Sequence, residues 1–235
     1  MNEEYTISPL GDSALLIYFR NKIDDAINKK VLSIFNRLQK LSLPEITDLI
    51  PAYSSLAICY DVAALHQKNA TAFDTMKNLL EPILEAADGQ SLFTTRQMKI
   101  PVCYAKVYAP DLEALAFDKN LLAEEVIGLH LAITYRVYMI GFLPGFAYMG
   151  KVDNRIATVR KTAPVNVAAG SVGIAGEQTG IYPFASPGGW NIIGRTPIKL
   201  FDKQNEEPVL LQPGDEITFY SISEDEFENY QGGPS

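Results

Sequence analysis

Cysteine and histidine are scarce, with two of each in 235 residues. So few soft ligands, with no clustered carboxylates beside them, argue against a dedicated zinc or iron site. Cys59 and Cys103 fall in separate apolar, strand-like runs, which predicts buried, reduced thiols rather than a disulfide. No 18-residue apolar run exists to cross a membrane. The N-terminus, MNEEYTISPL, has no basic stretch followed by an apolar one, so no secretory leader is expected. These absences predict a cytoplasmic chain without a membrane partner. A basic stripe is missing as well, which argues against nucleic acid.

What is present suits a folded protein of one or two domains: 47% hydrophobic and 20% charged residues. The net charge of −8 is unevenly placed. Residues 1–200 hold 19 basic and 19 acidic side chains, whereas residues 201–228 hold nine acids against Lys203 alone. A solvated acidic end follows, and residues 223–235 are expected to form a mobile tail.

Glycine divides the chain more sharply than charge. Residues 1–100 contain only Gly11 and Gly89, but residues 141–194 contain ten of the sixteen. The first part should be regular, the second full of turns and close backbone approaches. Residues 13–19 (SALLIYF) predict a buried strand. Ile27, Val31, Ile34, Phe35, Leu38 and Leu41 lie on one helical face, with Asp24 as N-cap and Pro44 beyond the end. Strands near 46–50 and 55–60 follow. A second helix near 71–87, built on Phe73, Met76, Leu80, Ile83 and Ala87, should be kinked or shortened by Pro82. A strand at 97–104 completes the order strand, helix, strand, strand, helix, strand, a ferredoxin-like split βαβ arrangement within an α+β domain at 1–95. Two short helices near 110–117 and 121–132 precede many short strands. The second domain, 96–222, therefore reads as a β-barrel or sandwich.

Candidate chemistry concentrates between residues 130 and 195. The stretch 162–194 holds one charged residue, Glu177, amid glycines and prolines, and must be buried or line a cleft. Glu177 is either a hydrated turn tip or a site carboxylate, with Arg195 as a candidate partner. GSVGIAG at 170–176 repeats glycine every third position, which suits either close ligand approach or β-bulges at a barrel corner. Residues 145–151 nearly match a phosphate loop but lack a Ser or Thr at Val152, and the following Asp153, Asn154 and Arg155 open no apolar-faced helix. His130, near a helix end, is a structural residue or a proton donor–acceptor.

Three segments together resemble one family. GFLPGFAYMG at 141–150, GSVGIAGEQTGIYP at 170–183 and SPGGWNIIGRTP at 186–197 are similar to the signature of the 5-oxoprolinase PxpB family, also called KipI or allophanate hydrolase subunit 1. PVCY at 101–104, PDL at 110–112, the spacing of His130 and Tyr135, LFD at 200–202, LQPGD at 211–215 and GDSALLI at 11–17 extend the likeness along nearly the whole chain.

The resemblance implies a cyclophilin-like, carboxyltransferase-type barrel at 96–222. It also implies obligate partners, the 5-oxoprolinase components PxpC and PxpA, which with this one cleave 5-oxo-L-proline to L-glutamate at the expense of ATP. ATP, with Mg, belongs to the complex, and no metal site is expected on this chain. Two other activities go with the same resemblance: inhibition of a sensor histidine kinase, and a carboxyltransferase role related to urea carboxylase. On the family motifs, His130, Gln178 and Thr179 are the catalytic candidates. Pro144, Gly145, Tyr148, Gly170, Ser171, Gly173, Gly188, Gly189, Trp190 and Arg195 are the substrate-binding candidates, joined by Glu177 on its isolation alone. The chain departs from the family pattern at Thr158-Val159-Arg160, at Ala163-Pro164 and at 167–170, where one arginine is missing and another displaced.

Overall fold

The computed structural model describes residues 5–20, 22–66, 69–85 and 95–233. The chain divides into two compact units, Met1–Thr94 and Thr95–Ser235.

In the first unit, strands β1 (Thr6–Pro9) and β2 (Ala14–Tyr18) form a hairpin. Helix α1 (Asp25–Leu41) follows, then β3 (Ile46–Pro51), β4 (Ser55–Tyr60) and α2 (Ala72–Glu85). The sheet order is β1-β2-β4-β3, with every neighbour antiparallel. β4 thus inserts between β2 and β3, the two strands that α1 connects. The Asp24 carboxylate accepts from the backbone N–H groups of Ala26 and Ile27, satisfying donors that a helix start leaves free. Ser42, in the left-handed region at φ 47°, stops the helix two residues before Pro44. The apolar stripe of α1 meets Leu15, Ile17, Leu56 and Ile58 from the sheet, and Met76 and Leu80 from α2 complete the core.

Two expectations are corrected here. Residues 97–104 do not close this sheet; its fourth strand is β1, too short and mixed in pattern to stand out in the sequence. α2 continues through Pro82, because Pro82 and the Asn78 carbonyl it leaves unbonded both lie on the exposed face, where water takes over. Ala87 lies outside the described residues.

The second unit opens with β5 (Gln97–Cys103), α3 (Leu112–Lys119) and α4 (Ala123–Leu131). Then come β6 (Thr134–Ile140), β7 (Ala147–Gly150), β8 (Val165–Val167), β9 (Ser171–Ala175) and β10 (Gln178–Ile181). Last are β11 (Ser186–Gly188), β12 (Asn191–Arg195), β13 (Glu216–Ile222) and α5 (Glu224–Glu228). Strands β6, β7, β10, β9, β12, β5 and β13 close in that order into a seven-stranded barrel, while β8 and β11 pair as a separate ribbon. Only β5 and β13 run parallel. Closure leaves no open edge within the barrel.

Alternate residues of each strand fill the interior: Ile100 and Val102, Tyr135 and Val137, Val172 and Ile174, Ile217 and Phe219. Leu112, Leu115 and Val126 of the two helices join the same core. At the seam, Arg96 donates to both Asp215 carboxylate oxygens (2.8 and 2.6 Å) and to the Leu210 carbonyl, and the Gln212 N–H reaches Asp215 at 2.7 Å. The PGD motif therefore ties the entry of β13 to the start of β5.

The acidic end is also corrected in part. Ser223 caps α5 by a capping box, and Phe227 packs on Tyr108 with ring centroids 4.2 Å apart. An apolar Phe227 and Tyr230 interrupt the acidic run, and Tyr230 packs against the barrel core.

Candidate functional site

Because successive side chains alternate across a strand, the barrel has a second face outside β7, β9, β10 and β12. Ala147 and Met149 point in, and Tyr148 points out. Thr179 and Ile181 point in; Gly180 and Tyr182 point out. The outer face collects Phe146, Tyr148, Tyr182 and Trp190 into one aromatic cluster with Val167, Ala175 and Ile192. Phe146 sits at its centre, edge-on to Tyr182 (5.1 Å) and Trp190 (5.4 Å) and 4.8 Å from Tyr148. Each such pair adds on the order of 1 kcal/mol beyond the area it buries.

The glycines of the three motifs make this packing possible. A Cβ on Gly180 would lie 2.9 Å from the Ala147 carbonyl oxygen and 3.0 Å from the Trp190 ring. One on Gly188 would run into the Tyr182 hydroxyl and ring. A Cβ on Gly173 would crowd the Trp190 and Ile192 side chains, each at 3.1 Å. Gly170 serves a turn instead: its φ is +81°, a region that disfavours side chains, and a Cβ there would strike the Thr196 carbonyl.

Arg160 stands at the rim of the cluster. Its guanidinium lies against Gly189, where a Cβ would come within 3.4 Å of Nε. It acts electrostatically on the Tyr148 and Tyr182 hydroxyls, opposing the upward pKa shift that burial gives both.

Inside the barrel a second constellation joins His130 and Thr179. The Thr179 hydroxyl donates to the Gly173 carbonyl at 3.1 Å, so its oxygen is free to accept from His130 Nε2 at 3.0 Å. Nε2 then carries the ring proton, and Nδ1 accepts from the Tyr104 hydroxyl at 2.8 Å. The imidazole stacks on Phe219 at 4.8 Å. The chain Tyr104, His130, Thr179, Gly173 is complete, directional and neutral. Burial with no opposing charge drives the His130 pKa down to about 3. His130 and Thr179 are fully buried, and their hydrogen bonds brace the barrel interior.

The remaining candidates scatter. Glu177, at the exposed tip of the β9–β10 hairpin, pairs with Lys151 at 3.2 Å and not with Arg195. Gln178, half-buried, opens β10 beside it and pairs with Gly150 and Ala175. Arg195 donates Nε to the Ala169 carbonyl at 2.8 Å, and its guanidinium lies 5.9 Å from the Tyr108 ring centre and 5.7 Å from that of Phe227. Pro144 is exposed in the β6–β7 turn; Gly145, at φ +84°, backs onto Leu200 and Phe201. Ser171 is buried at the start of β9. Only Tyr148, Gly173, Gly188, Gly189 and Trp190 of the expected binding set meet at the cluster.

Sequence reasoning passed over Tyr182 and Phe146, although both lie inside the quoted motifs, and Tyr104, the last residue of PVCY. It also missed Asp111, whose carboxylate accepts from the Ile192 N–H and from Lys161, both at 2.7 Å, pinning β12 to the start of α3. Both cysteines are free, but Cys59 is only half-buried, against expectation. Residues 145–151 run into strand β7 rather than forming a loop before a helix. Among the described residues no group of three His, Cys, Asp or Glu side chains gathers to hold a metal, and no helix is long and apolar enough to cross a membrane.

The family model for the carboxyltransferase domain, subdomains C and D, matches residues 5–211. The B component of 5-oxoprolinase (PxpB) from Bacillus subtilis (strain 168) is 39% identical over 236 residues, 98% of each chain. The chain belongs to the 5-oxoprolinase PxpB family. Two solved structures share the architecture of this family member. PH0987 from Pyrococcus horikoshii is 42% identical, with a TM-score of 0.55 over 94% of this chain and 100% of that one. TTHA0988 is 33% identical, with a TM-score of 0.77 over 89% of this chain; the family member here spans 40% of that longer protein.

Proposed function

We propose that the chain is the PxpB component of an ATP-dependent 5-oxoprolinase, which opens 5-oxo-L-proline to L-glutamate together with PxpC and PxpA and is inactive alone. The observation that carries this reading is the 39% identity to the Bacillus subtilis protein across 98% of both chains. Its two units take the ferredoxin-like and cyclophilin-like roles of that family, and the protein works in the cytoplasm.

The chemistry sets the requirements. A lactam is a stable amide, so water attacks its carbonyl only when the oxygen is activated, and ATP supplies that activation in the complex. The protein must hold a small planar ring, orient it and exclude competing water. Of the aromatic cluster outside the barrel, Tyr148 is half-buried and can meet a ligand, while Phe146, Tyr182 and Trp190 are buried behind it. With 145–151 built into β7, this chain presents no phosphate-loop geometry there, and ATP is assigned to the complex.

Co-expression of the three components tests the reading: glutamate and ADP should form from 5-oxo-L-proline and ATP only when all three are present. Turnover by the purified chain alone, or none by the full assembly, would overturn it. The carboxyltransferase description of the matched family model favours a second reading, transfer of a carboxyl group to an amide nitrogen. Bicarbonate-dependent ADP release without glutamate would favour it.

A further inference from the structure

The turn between β6 and β7 carries a residue that its own backbone does not favour. Phe142 has a φ of +67° and is 63% exposed. The Leu143 N–H reaches back to the Gly141 carbonyl at 2.8 Å, which closes a γ-turn around Phe142. Positive φ at the centre of such a turn is the rarer and more strained of its two forms, and a bulky side chain suits it badly. The ring meets Phe146 edge-on at 5.7 Å, and most of its surface stays exposed. Glycine or asparagine would sit here with less strain, so the stability of the chain alone gives no reason for phenylalanine.

Phe142 has apolar neighbours. The Gly141 N–H bonds the Phe146 carbonyl at 3.1 Å and the Phe146 N–H bonds the Leu143 carbonyl at 2.9 Å, so the turn is tightly held. Gly145 sits on residues 200–201, where a Cβ would come within 3.2 Å of the Phe201 side chain. Phe201 in turn meets Phe184, with ring centroids 5.3 Å apart. Phe184, Pro144, Ala185 and Pro187 are exposed. Residues 141–146 and 183–187 hold no charged side chain. Lys199 and Asp202, on either side of Phe201 in the chain, neutralise each other at 2.7 Å. An aromatic, uncharged face therefore surrounds the β6–β7 turn, the composition of an interface core rather than of open surface.

We propose that this face, centred on Phe142, docks onto the polypeptide that completes the carboxyltransferase fold, which is PxpC in the reading above. This rests on the reading of the chain as a 5-oxoprolinase component and adds the surface by which it assembles. The matched family model describes two subdomains, C and D, of a larger domain. In TTHA0988 the matching fold occupies 40% of one longer polypeptide. Subdomains of one domain pack on one another, so the remainder needs a face here. A face without charge offers nothing to steer a phosphate backbone or an anionic membrane, and suits a lasting protein contact. An aromatic anchor fixed in a tight turn loses little freedom on binding. Strain kept at an exposed position is accounted for when the contact, and not the fold, requires the side chain.

The purified chain is titrated calorimetrically with purified PxpC, and the unfolding midpoint of each variant is measured beside it. Phe142→Asn accepts the left-handed backbone, so its midpoint should be no lower than that of the wild type, yet it should bind PxpC at least tenfold more weakly. Phe184→Ser should weaken binding as well. Phe117 is 83% exposed but lies in the regular backbone of α3, so Phe117→Ser should leave binding unaltered. Unchanged binding by either face variant, an equal loss with Phe117→Ser, or a clear fall in the midpoint of Phe142→Asn would overturn the proposal. So would a wild-type dimer that Phe142→Asn makes monomeric without loss of PxpC binding, because a second copy would then be the occupant. Full binding by Phe142→Asn refutes the face and leaves the 5-oxoprolinase reading standing. A wild-type chain that fails to bind PxpC refutes both, whereas an assembly that forms through this face but yields no glutamate refutes that reading alone.

Discussion

Acidification should weaken the barrel through a single residue, His130. Its imidazole is fully buried, accepts from Tyr104 and donates to Thr179, so it is native only in the neutral form. Burial lowers its pKa from the ordinary 6.5 to about 3. The unfolded chain therefore takes up the proton first as pH falls, and stability, full above the unfolded pKa, declines from there toward the folded one. Each pH unit in that window costs up to ~1.4 kcal/mol, so a move from neutral pH to near pH 5 removes about 2 kcal/mol. The carboxylates whose pKa values their partners lower, Asp24, Asp153, Asp202 and Glu226, lose their contribution from their ordinary values of 3.8 and 4.5 downward, so the step from neutral pH to near pH 5 is left mainly to His130. Urea unfolding followed by Trp190 emission, which reports on the barrel unit, measures the effect at each pH. His130→Gln should be less stable at neutral pH yet lose much less on acidification. Equal pH dependence in the two proteins would show that His130 is not held neutral, and the directional chain through Thr179 would fall with it.

Four further outcomes are expected. Gly188→Ala should cost ~1–3 kcal/mol, because its Cβ runs into Tyr182. Gly128→Ala, in α4 with nothing within 4 Å, should instead stabilise by ~0.5–1 kcal/mol, both read from unfolding midpoints. A thiol reagent in native buffer should label half-buried Cys59 well before Cys103, whose thiol is buried and pushed up in pKa, and no disulfide should appear in the unreduced mass. Gln178→Ala should hardly move the unfolding midpoint. If Gln178 positions substrate, turnover of the assembled complex falls tenfold or more, ~1.4 kcal/mol of transition-state binding; unchanged turnover would confine Gln178 to its place in β10.

Local pattern accounts for α1 and its Asp24 cap, for β2, β3 and β4, and for the two short helices before the barrel. Helical and strand periodicities are short-range, as is a capping hydrogen bond, so neighbouring residues suffice to specify them. The three glycine-rich motifs likewise announced their family and, by their want of charge, that they would be covered. Pairing partners were beyond that reach. Residues 97–103 have the same strand pattern whether they complete the first sheet or the barrel, and only contact with Glu216–Ile222, more than a hundred residues away, settles the matter. The same holds for His130 and Arg160. A histidine near a helix end reads alike as an acid–base group or a brace, until strand β10 brings Thr179 to it from 49 positions away and closes it off from water. An arginine in a broken motif looks like a defect until three backbone anchors set it against Gly189. Which side of a strand faces the core, and which charge is left without a partner, are properties of the closed barrel, because burial and neutralisation come from residues distant in the chain.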